Sequence, residues 1–390
     1  MRINQRHGTA AMEATNANPY SLDRWVTAND NTTSRFTVQQ VVDAPVGFYY
    51  SLKATSQYAY TPASGEVFGF GQKIEGYNTN WLEFGTANAK SITISFFVKS
   101  SLTGTFGGSV LNNDMTRGFP FTYTISSANT WEKKTVTVAG STDGTWNTTN
   151  GTGIRVHWSM GANANRSDTA GQWSSTQYTF HPTGATNVVA NNGATLRVTG
   201  CQVEEGTTAT LYEHRPYAQE LSLAQRYFEK SFKQGTAPAQ NVSAGVGYYL
   251  LHSQGSQLRS INIYFKVTKR TDPTMTYFNP YAANANARLP FSSTDLAGIA
   301  TNTLSDNWFS FDSTDNTPSP TLAHLMWTAN AELKTMTTTY KLYNVLDTGG
   351  KTHNYVIKDG CSFIPFKEEN NDYQEYLAWV AKGNTAEAAD

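Results

Sequence analysis

Alternation of apolar and polar side chains with a period of two runs through most of this chain. The clearest example is the segment KSITISFFVKSS (90–101). Its apolar positions are Ile92, Ile94, Phe96 and Val98, and its polar positions are Thr93, Ser95 and Lys99. Phe97 is the exception, since it falls among the polar positions. Because successive side chains of a β-strand point to opposite faces, the pattern predicts a strand with one buried face.

Segments of the same kind recur along the first half of the chain, separated by clusters of Gly, Asn, Ser and Pro. The other predicted strands there are SRFTVQQVV (34–42), YYSLKATS (49–56), GFPFTYTIS (118–126), WEKKTVTVAG (131–140), GIRVHWSMG (153–161) and ATLRVTGCQVEEG (194–206). Strands at this spacing are typical of two packed antiparallel sheets, as in a sandwich or a jelly roll. We therefore expect a jelly-roll-like domain over residues 20–215.

The second half repeats the pattern. Its predicted strands are VGYYLL (246–251), LRSINIYFKVT (258–268), TMTYFNP (274–280), NWFSFDS (307–313), AHLMWTANAEL (323–333) and THNYVIKDG (352–360). A chain of 390 residues usually exceeds one domain. The predicted fold class is therefore all-β, with two antiparallel β-sandwich domains, the second spanning residues 227–368.

Two short segments have helical spacing instead. Pro216 suits a first helical turn, and apolar residues follow it at Tyr217, Leu221, Ala224 and Phe228, which predicts a linking helix over 216–226. In the terminal segment 369–390, Asp372 is placed as an N-cap before a predicted amphipathic helix. Its apolar stripe would consist of Tyr373, Tyr376, Leu377 and Val380. A helix of about ten residues is not stable alone, so this stripe is a candidate assembly element. The polar arm 1–19 is the other candidate.

Composition excludes several classes of protein. The net charge is −1 and the sequence pI about 6.7, so no broad basic field is available for nucleic acid. No segment approaches the roughly 20 consecutive apolar residues of a membrane span. The two cysteines, Cys201 and Cys361, cannot form a structural zinc site by themselves, and we expect reduced thiols.

Motifs of catalysis are not evident. The seven histidines show no metal-ligand spacing. A glycosidase would need two facing carboxyl groups. Glu204 and Glu205 are neighbours on one strand and point to opposite faces, while Asp114 and Asp143 fall in loops. These acids are better interpreted as turn and surface residues, so the chain is expected not to be an enzyme and to need no cofactor. Calcium held by loop carboxylates is the exception to test, with Asp23, Asp30 and Asp43 as weak candidates.

Aromatic residues in loops suggest a different kind of site. Trp146 and Trp173 fall in loops rich in Gly, Ser, Thr and Asn, and Tyr178 lies near the second. Such rings can stack on the faces of sugars, which makes these three residues candidate glycan-binding residues. The alternative is that they cover the edge of the sandwich or a contact between subunits. Trp131 and Trp158 lie in predicted strands and are expected in the core.

Long runs of this sequence resemble a family of tailed-bacteriophage virion proteins, described as tail fibre or structural proteins. The runs are DAPVGFYYSLK, FGTANAKSITISFFVKSSLTGTFGGS, PFTYTISSANTWEKKTVTVAG and GCQVEEGTTATLYEHRPYAQELSLAQRYFEKS, all within residues 1–232. The closing DYQEYLAWVAKGNTAEAAD is similar to a terminal segment common among phage tail proteins. The family has Cys where Ala224 stands here.

The resemblance implies a carbohydrate-binding-like jelly roll at the amino end and a structural role in the virion. We expect a tail fibre or appendage subunit, in the usual case a homotrimer, that contacts other virion proteins and presents loops to a host surface polysaccharide. One alternative is a decoration or cement protein of the capsid or tail without a receptor. The other is a polysaccharide depolymerase.

Overall fold

The computed structural model describes residues 1–254, 257–290, 292–315, 320–333, 340–346, 352–358, 362–367, Tyr373, Tyr376, Leu377, Val380 and Ala386. The chain is all-β, as the alternation predicts, with one short α-helix among the elements that have described bounds. None of the described helices is both long and apolar enough to cross a membrane.

The first domain is a sandwich of jelly-roll type, made of two antiparallel sheets. Its strands are β1 (Met12–Glu13), β2 (Trp25–Asn29), β3 (Phe36–Val41), β4 (Ser51–Ser56), β5 (Val67–Glu75), β6 (Ile92–Ser100), β7 (Gly104–Leu111), β8 (Gly118–Ile125), β9 (Glu132–Val138), β10 (Thr152–Ala162), β11 (Ser167–Asp168), β12 (His181–Pro182) and β13 (Thr195–Glu205). The six-stranded sheet has the order β1-β3-β4-β13-β6-β9, and the five-stranded sheet the order β2-β5-β10-β7-β8. Strands β11 and β12 form a small parallel pair. Short 3-10 helices occupy Gly76–Asn78, Asn80–Leu82, Ala164–Arg166 and Val188–Ala190.

The sandwich core is filled by the apolar positions of the alternating strands. Ile92, Ile94, Phe96 and Val98 of β6 are all fully buried, as predicted. Trp158 of β10 is also buried, and its ring centroid lies 5.4 Å from those of both Trp25 and Phe96. Each such side chain contributes about 1.5–3 kcal/mol by leaving water. Trp131 is not a core residue, because it precedes β9 at the sheet edge, is half-buried and donates its indole N–H to Asp43 Oδ1.

The second domain contains one ten-stranded antiparallel sheet. Its strands are β14 (Phe228–Lys230), β15 (Gly247–Gln254), β16 (Gln257–Ser260), β17 (Ile263–Tyr264), β18 (Thr274–Phe278), β19 (Ala287–Arg288), β20 (Asp295–Leu296), β21 (Ala300–Leu304), β22 (Trp308–Ser313) and β23 (Thr321–Asn330). Long strand β23 organises the sheet: its first half pairs with β15 and β19, and its second half with β14 and β18. Phe309, Phe311, Leu325 and Trp327 are among the residues of its core.

The segment 258–268 is not the single strand that its sequence predicts. Strand β16 ends at Ser260, β17 covers only Ile263–Tyr264, and Ile261 is exposed instead of sharing a buried face with Ile263 and Phe265. Farther along, Lys269 is buried because its Nζ bonds to Glu229 Oε2 at 2.7 Å. A buried charge requires a partner of this kind.

The carboxyl-terminal part forms a separate unit. The chain divides into compact units Met1–Leu333 and Lys334–Asp390, which differs from the predicted second domain of 227–368. Among the described residues, a three-stranded sheet of its own is formed by β24 (Tyr340–Leu346), β25 (Thr352–Lys358) and β26 (Ser362–Pro365). The stripe positions Tyr373, Tyr376, Leu377 and Val380 are all helical. Asp372, the helix bounds and Cys361 lie outside the described residues.

The amino-terminal segment 1–19, expected to be an arm, is packed into the first unit. Ile3, Gln5 and Ala14 are buried, and β1 pairs with β3. Gln5 explains how a polar segment can be buried: its Nε2 donates to Asp23 Oδ1 at 3.0 Å and to the Phe228 carbonyl at 2.7 Å. Buried polar groups are tolerated when they are hydrogen-bonded in this way.

The linking helix α1 covers Tyr217–Gln225, in close agreement with its prediction. Its apolar stripe is weaker than expected, since Tyr217 is exposed and Phe228 already belongs to β14. The helix therefore connects the two β domains but provides little of their contact.

A network of buried charges joins the two domains instead. Glu332 accepts hydrogen bonds from Arg6 Nη2 at 3.0 Å and from the Arg24 backbone N–H and guanidinium. Glu75 accepts from Arg226 at 2.7 Å and from the Tyr227 hydroxyl at 2.6 Å. Because these groups come from both β domains and are largely removed from water, the domains are fixed to each other and not hinged.

Candidate functional site

Two loops of the first domain lie against each other at one end of the sandwich. The loop of residues 76–91 follows β5, and the loop of residues 139–151 precedes β10. Backbone N–H groups of Gly76, Tyr77 and Gly85 donate to carbonyls of the second loop at 2.7–2.8 Å. Gly85 has φ +87°, and a Cβ there would lie 2.7 Å from the Gly144 carbonyl oxygen, so glycine is required for this close approach.

Trp146 and Trp173 meet at this end of the sandwich. Their ring centroids are 5.4 Å apart in an edge-to-face arrangement, and Phe84 lies 4.8 Å from Trp146. Each indole N–H is hydrogen-bonded to a loop carbonyl, Trp146 to Asp143 at 2.9 Å and Trp173 to Ala139 at 2.7 Å. Both rings are half-buried against the core. The structure thus brings these two predicted residues together, and much of each ring closes the sandwich end.

Tyr178 lies in a different cluster. Its ring packs near Met115 beside buried Val67, Leu111, Ala162 and Phe180, and the Arg166 guanidinium lies 4.6 Å from its centroid. Its φ of +62° places the backbone in the left-handed region. Tyr178 therefore does not share the Trp146–Trp173 cluster.

A small cavity opens beside Trp146. Its volume is about 200 Å³, and it is lined by Trp146 and Phe84 on the aromatic side and by Thr79, Asn80, Glu83, Thr86, Asn147 and Thr148 on the polar side. Ligand pockets for drug-sized molecules are roughly 300–1,000 Å³, so this one suits a smaller group such as a single sugar unit. A ring wall with amide, hydroxyl and carboxylate groups around it can contact a sugar, since sugars have both C–H faces and hydroxyl rims.

The most exposed rings of this end were missed by the sequence analysis. Trp81 is 43 % exposed and Tyr77 is 56 % exposed, and both belong to the loop that lines the cavity. Trp81 donates its indole N–H to the Asn78 carbonyl at 3.1 Å, and Lys90 Nζ lies 5.9 Å from its ring centroid. The surrounding sequence GYNTNWLEFG (76–85) is rich in Gly, Asn and Thr, like the loop that contains Trp146. The same compositional signal could therefore have identified Trp81 as a candidate.

The three aspartates considered for calcium do not come together. Among the described residues, no group of three or more His, Cys, Asp or Glu side chains could hold a metal ion. Asp43 binds Lys99 Nζ at 3.0 Å and Arg197 Nε at 3.2 Å, and those bonds to cations hold its pKa below the usual range even though burial acts to raise it. Burial raises the pKa of Asp23, whose carboxylate faces Gln5. Asp30 follows β2 and is exposed.

No family model matches this chain, and no curated protein matches it. Solved structures with which it shares a partial likeness include the enzymatically active domain of tailspike protein 4 of bacteriophage CBA120, at 11% identity and a TM-score of 0.28, covering 51% of this chain and 21% of that one. The chain thus spans about a fifth of that tailspike structure.

Two further likenesses cover nearly all of a smaller protein. A putative sugar binding protein from Bacteroides thetaiotaomicron matches at 13% identity and a TM-score of 0.29, covering 52% of this chain and 99% of that one. A family 11 carbohydrate-binding module from Clostridium thermocellum matches at 11% identity and a TM-score of 0.27, covering 51% and 97%. At these scores the likenesses establish no shared function.

Proposed function

We propose that this chain is a non-enzymatic structural component of a bacteriophage virion, a tail fibre or appendage subunit that binds a surface polysaccharide through the loop end of its first domain. The observation that carries the glycan-binding part is the cavity beside Trp146, with its polar rim and with Trp81 and Tyr77 exposed on the same loop. The virion part is supported by the resemblance of the long sequence runs to phage tail proteins.

Two structural features suit a particle component. Ion pairs around Glu332 and Glu75 join the first two β domains directly, so the contact between them does not depend on the linking helix alone. In the terminal unit, Tyr373 and Tyr376 stack near Phe366, whereas Leu377 and Val380 are exposed. Exposed apolar positions on a helix suit burial against a neighbouring subunit, and a homotrimer would provide one.

A glycan array with the intact protein tests the binding role. We expect selected polysaccharides to bind, and Trp81→Ala to weaken that binding while leaving the protein folded, because Trp81 is outside the core. Trp146→Ala is a poorer probe, since it also removes a ring that packs on the core. Binding that is the same for the parent and for Trp81→Ala and Tyr77→Ala variants would remove the loop-end site from the proposal.

The capsid or tail decoration alternative differs in location. Antibody labelling of intact particles would place the chain on the fibre or on the capsid or tail surface, and labelling away from the fibre would favour decoration.

The depolymerase alternative requires two carboxyl groups facing one sugar. Glu83 is the one acidic residue among those lining the loop-end cavity. A wider cavity of about 780 Å³ near α1 contains Asp23, Glu75, Glu213 and Glu220. Glu75 is bonded to Arg226 and Tyr227, Asp23 to Gln5, and the other two face Arg215. Release of reducing sugar from a bound polysaccharide by the purified protein would favour the enzyme.

A further inference from the structure

A second aromatic pocket lies on the outer face of the six-stranded sheet. It has a volume of about 470 Å³, and the rings of Phe48, Tyr49, Tyr50, Tyr212 and His214 line it together with Arg2, Arg215 and Glu220. It shares no lining residue with the loop-end cavity beside Trp146.

The pocket explains the one break in the alternation of β6. Phe97 falls between core residues Phe96 and Val98, so it projects from the opposite face of the sheet. Its ring centroid lies 5.5 Å from that of Phe48, which in turn lies 4.9 Å from Tyr212 and 5.4 Å from His214. An apolar residue on the outer face thus supports a built aromatic cluster.

Gly200 holds this cluster in place. It lies where the pairing of β13 with β6 shifts register, between Thr199 and Gln202, and its φ is +58°. A Cβ at Gly200 would lie 2.6 Å from the Phe48 ring, so the ring occupies the space that a side chain would fill. Thr199 Oγ1 also donates to the Tyr50 carbonyl at 2.8 Å, which fixes the segment that carries the pocket's tyrosines. Tyr49, 62 % exposed, is left as an open ring surface.

The charges in the pocket favour an anion. The lining contains two arginines and one glutamate. Arg215 is held by Glu213 at 2.7 Å and by Glu220 at 3.5 Å. Arg2 donates one N–H to the Arg215 carbonyl at 3.0 Å and forms no ion pair with any described carboxylate. Its remaining guanidinium donors match the fork geometry of a carboxylate.

We propose that this pocket binds an acidic sugar unit of a polysaccharide, with the sugar ring stacked on the exposed tyrosine and its carboxylate on Arg2. Open aromatic surface selects the C–H face of a pyranose, and a guanidinium that has no ion pair with a described carboxylate selects a uronate over a neutral hexose. This site and the loop-end cavity share no lining residue, so a test of one does not depend on the outcome for the other.

Calorimetric titration with oligogalacturonate and oligoglucuronate, each beside its methyl ester, tests the proposal in the full-length protein. The ester keeps the ring and removes the charge. We expect at least one acid form to bind about tenfold more tightly than its ester, and Arg2→Gln to abolish that preference. Tyr49→Ala should weaken the acid form about tenfold, whereas Tyr58→Ala, another exposed tyrosine of the same domain that lines neither pocket, should leave it unchanged.

Salt provides a second readout. Raising ionic strength from about 0.05 to about 0.5 M should weaken uronate binding by the parent protein but not by Arg2→Gln, because screening acts on the ion pair. Equal binding of acid and ester, or absence of binding to both acids, would overturn the proposal. Loss of uronate binding in Trp81→Ala together with unchanged uronate binding in Tyr49→Ala would also overturn it. Circular dichroism of each variant identifies any that fail to fold, and Arg2→Gln and Tyr49→Ala alter exposed side chains.

Discussion

Lys269 Nζ lies 2.7 Å from Glu229 Oε2, and both side chains are almost completely buried. The lysine also donates to the carbonyls of Gln225 and Val267 at 2.7 Å, and the glutamate accepts from the Lys266 N–H at 3.1 Å. All the donors and acceptors of this pair thus have partners near the start of the second domain. Burial lowers the pKa of Lys269, although Glu229 acts to raise it.

Removing both members of this pair should cost less than the sum of the two single losses. Glu229→Gln leaves the Lys269 charge buried without its counter-ion, and we expect a loss of about 3–5 kcal/mol in the free energy of unfolding. Lys269→Met should cost a similar amount. The double variant should cost clearly less than the sum, which urea denaturation of all four proteins would measure. Strictly additive losses would contradict this account of the pair.

The matched control is the exposed ion pair between Lys90 and Glu205, at 3.4 Å. Glu205→Gln removes the same kind of charge in the presence of water, so its cost should be below about 1 kcal/mol.

The junction between the first two domains should depend on Glu332. Glu332→Gln removes a carboxylate that pairs with both Arg6 and Arg24, and we expect a loss of about 3 kcal/mol, since two mostly buried cations lose this partner. Hydrogen exchange should quicken at the amide of Ala331, which bonds to the Tyr227 carbonyl, and stay unchanged at β6. Glu13→Gln, at an exposed position, is the control. Unaltered exchange at Ala331 would show that the network does not hold the domains together.

Stability should fall in mild acid because of two histidines. Burial lowers the pKa of His157 to about 3 and that of His181 to about 4. The unfolded chain binds protons near pH 6.5 while the folded chain does not, so the free energy of unfolding should rise with pH between about 4 and 6.5. Each histidine contributes up to about 1.4 kcal/mol per pH unit within that range.

His157→Leu tests this pH dependence. The ring lies against Phe180 and its Nε2 has no hydrogen-bond partner among the described residues, so leucine is tolerated there. In the variant, the free energy of unfolding should rise less steeply with pH across pH 4–6.5, by the amount that about one proton contributes. Denaturation at several pH values in that range would measure the slope. An unchanged slope would mean that His157 does not titrate as a buried neutral ring.

Gly200→Ala should damage the second pocket specifically. The new Cβ meets the Phe48 ring and also strains a backbone at φ +58°. Gly193→Ala is the matched control, because its φ is +73° and nothing lies within 4 Å of the added Cβ. Both variants should lose about 1–2 kcal/mol to backbone strain, but only Gly200→Ala should lose uronate binding. Equal effects of the two variants on uronate binding would show that the position of the Phe48 ring does not matter for binding in this pocket.

The sequence predicted those elements whose burial depends on local pattern. Strand β6 and helix α1 were found because one face of β6 is fully buried and because Pro216 marks the start of the helix. The break after Ser260 was not predicted, because Ile261 and Ile263 continue the apolar alternation through it although Ile261 is exposed. The burial of Lys269 was not predictable from local pattern, since its partner Glu229 lies 40 positions away. The exposure of the loop rings was also not predictable, because Trp81 and Trp146 lie in similar sequence. The two differ in packing, since Trp146 contacts Phe84 and the core.

The most direct test of the proposed function is the dissociation constant for a polysaccharide selected on the array, measured for the parent protein, Trp81→Ala and Tyr58→Ala. Loss of a stacked indole should weaken binding about tenfold or more in Trp81→Ala, and Tyr58→Ala should match the parent. Equal affinity of all three proteins, or failure of the parent to bind any glycan, would contradict a carbohydrate-binding role for the loop end of the first domain.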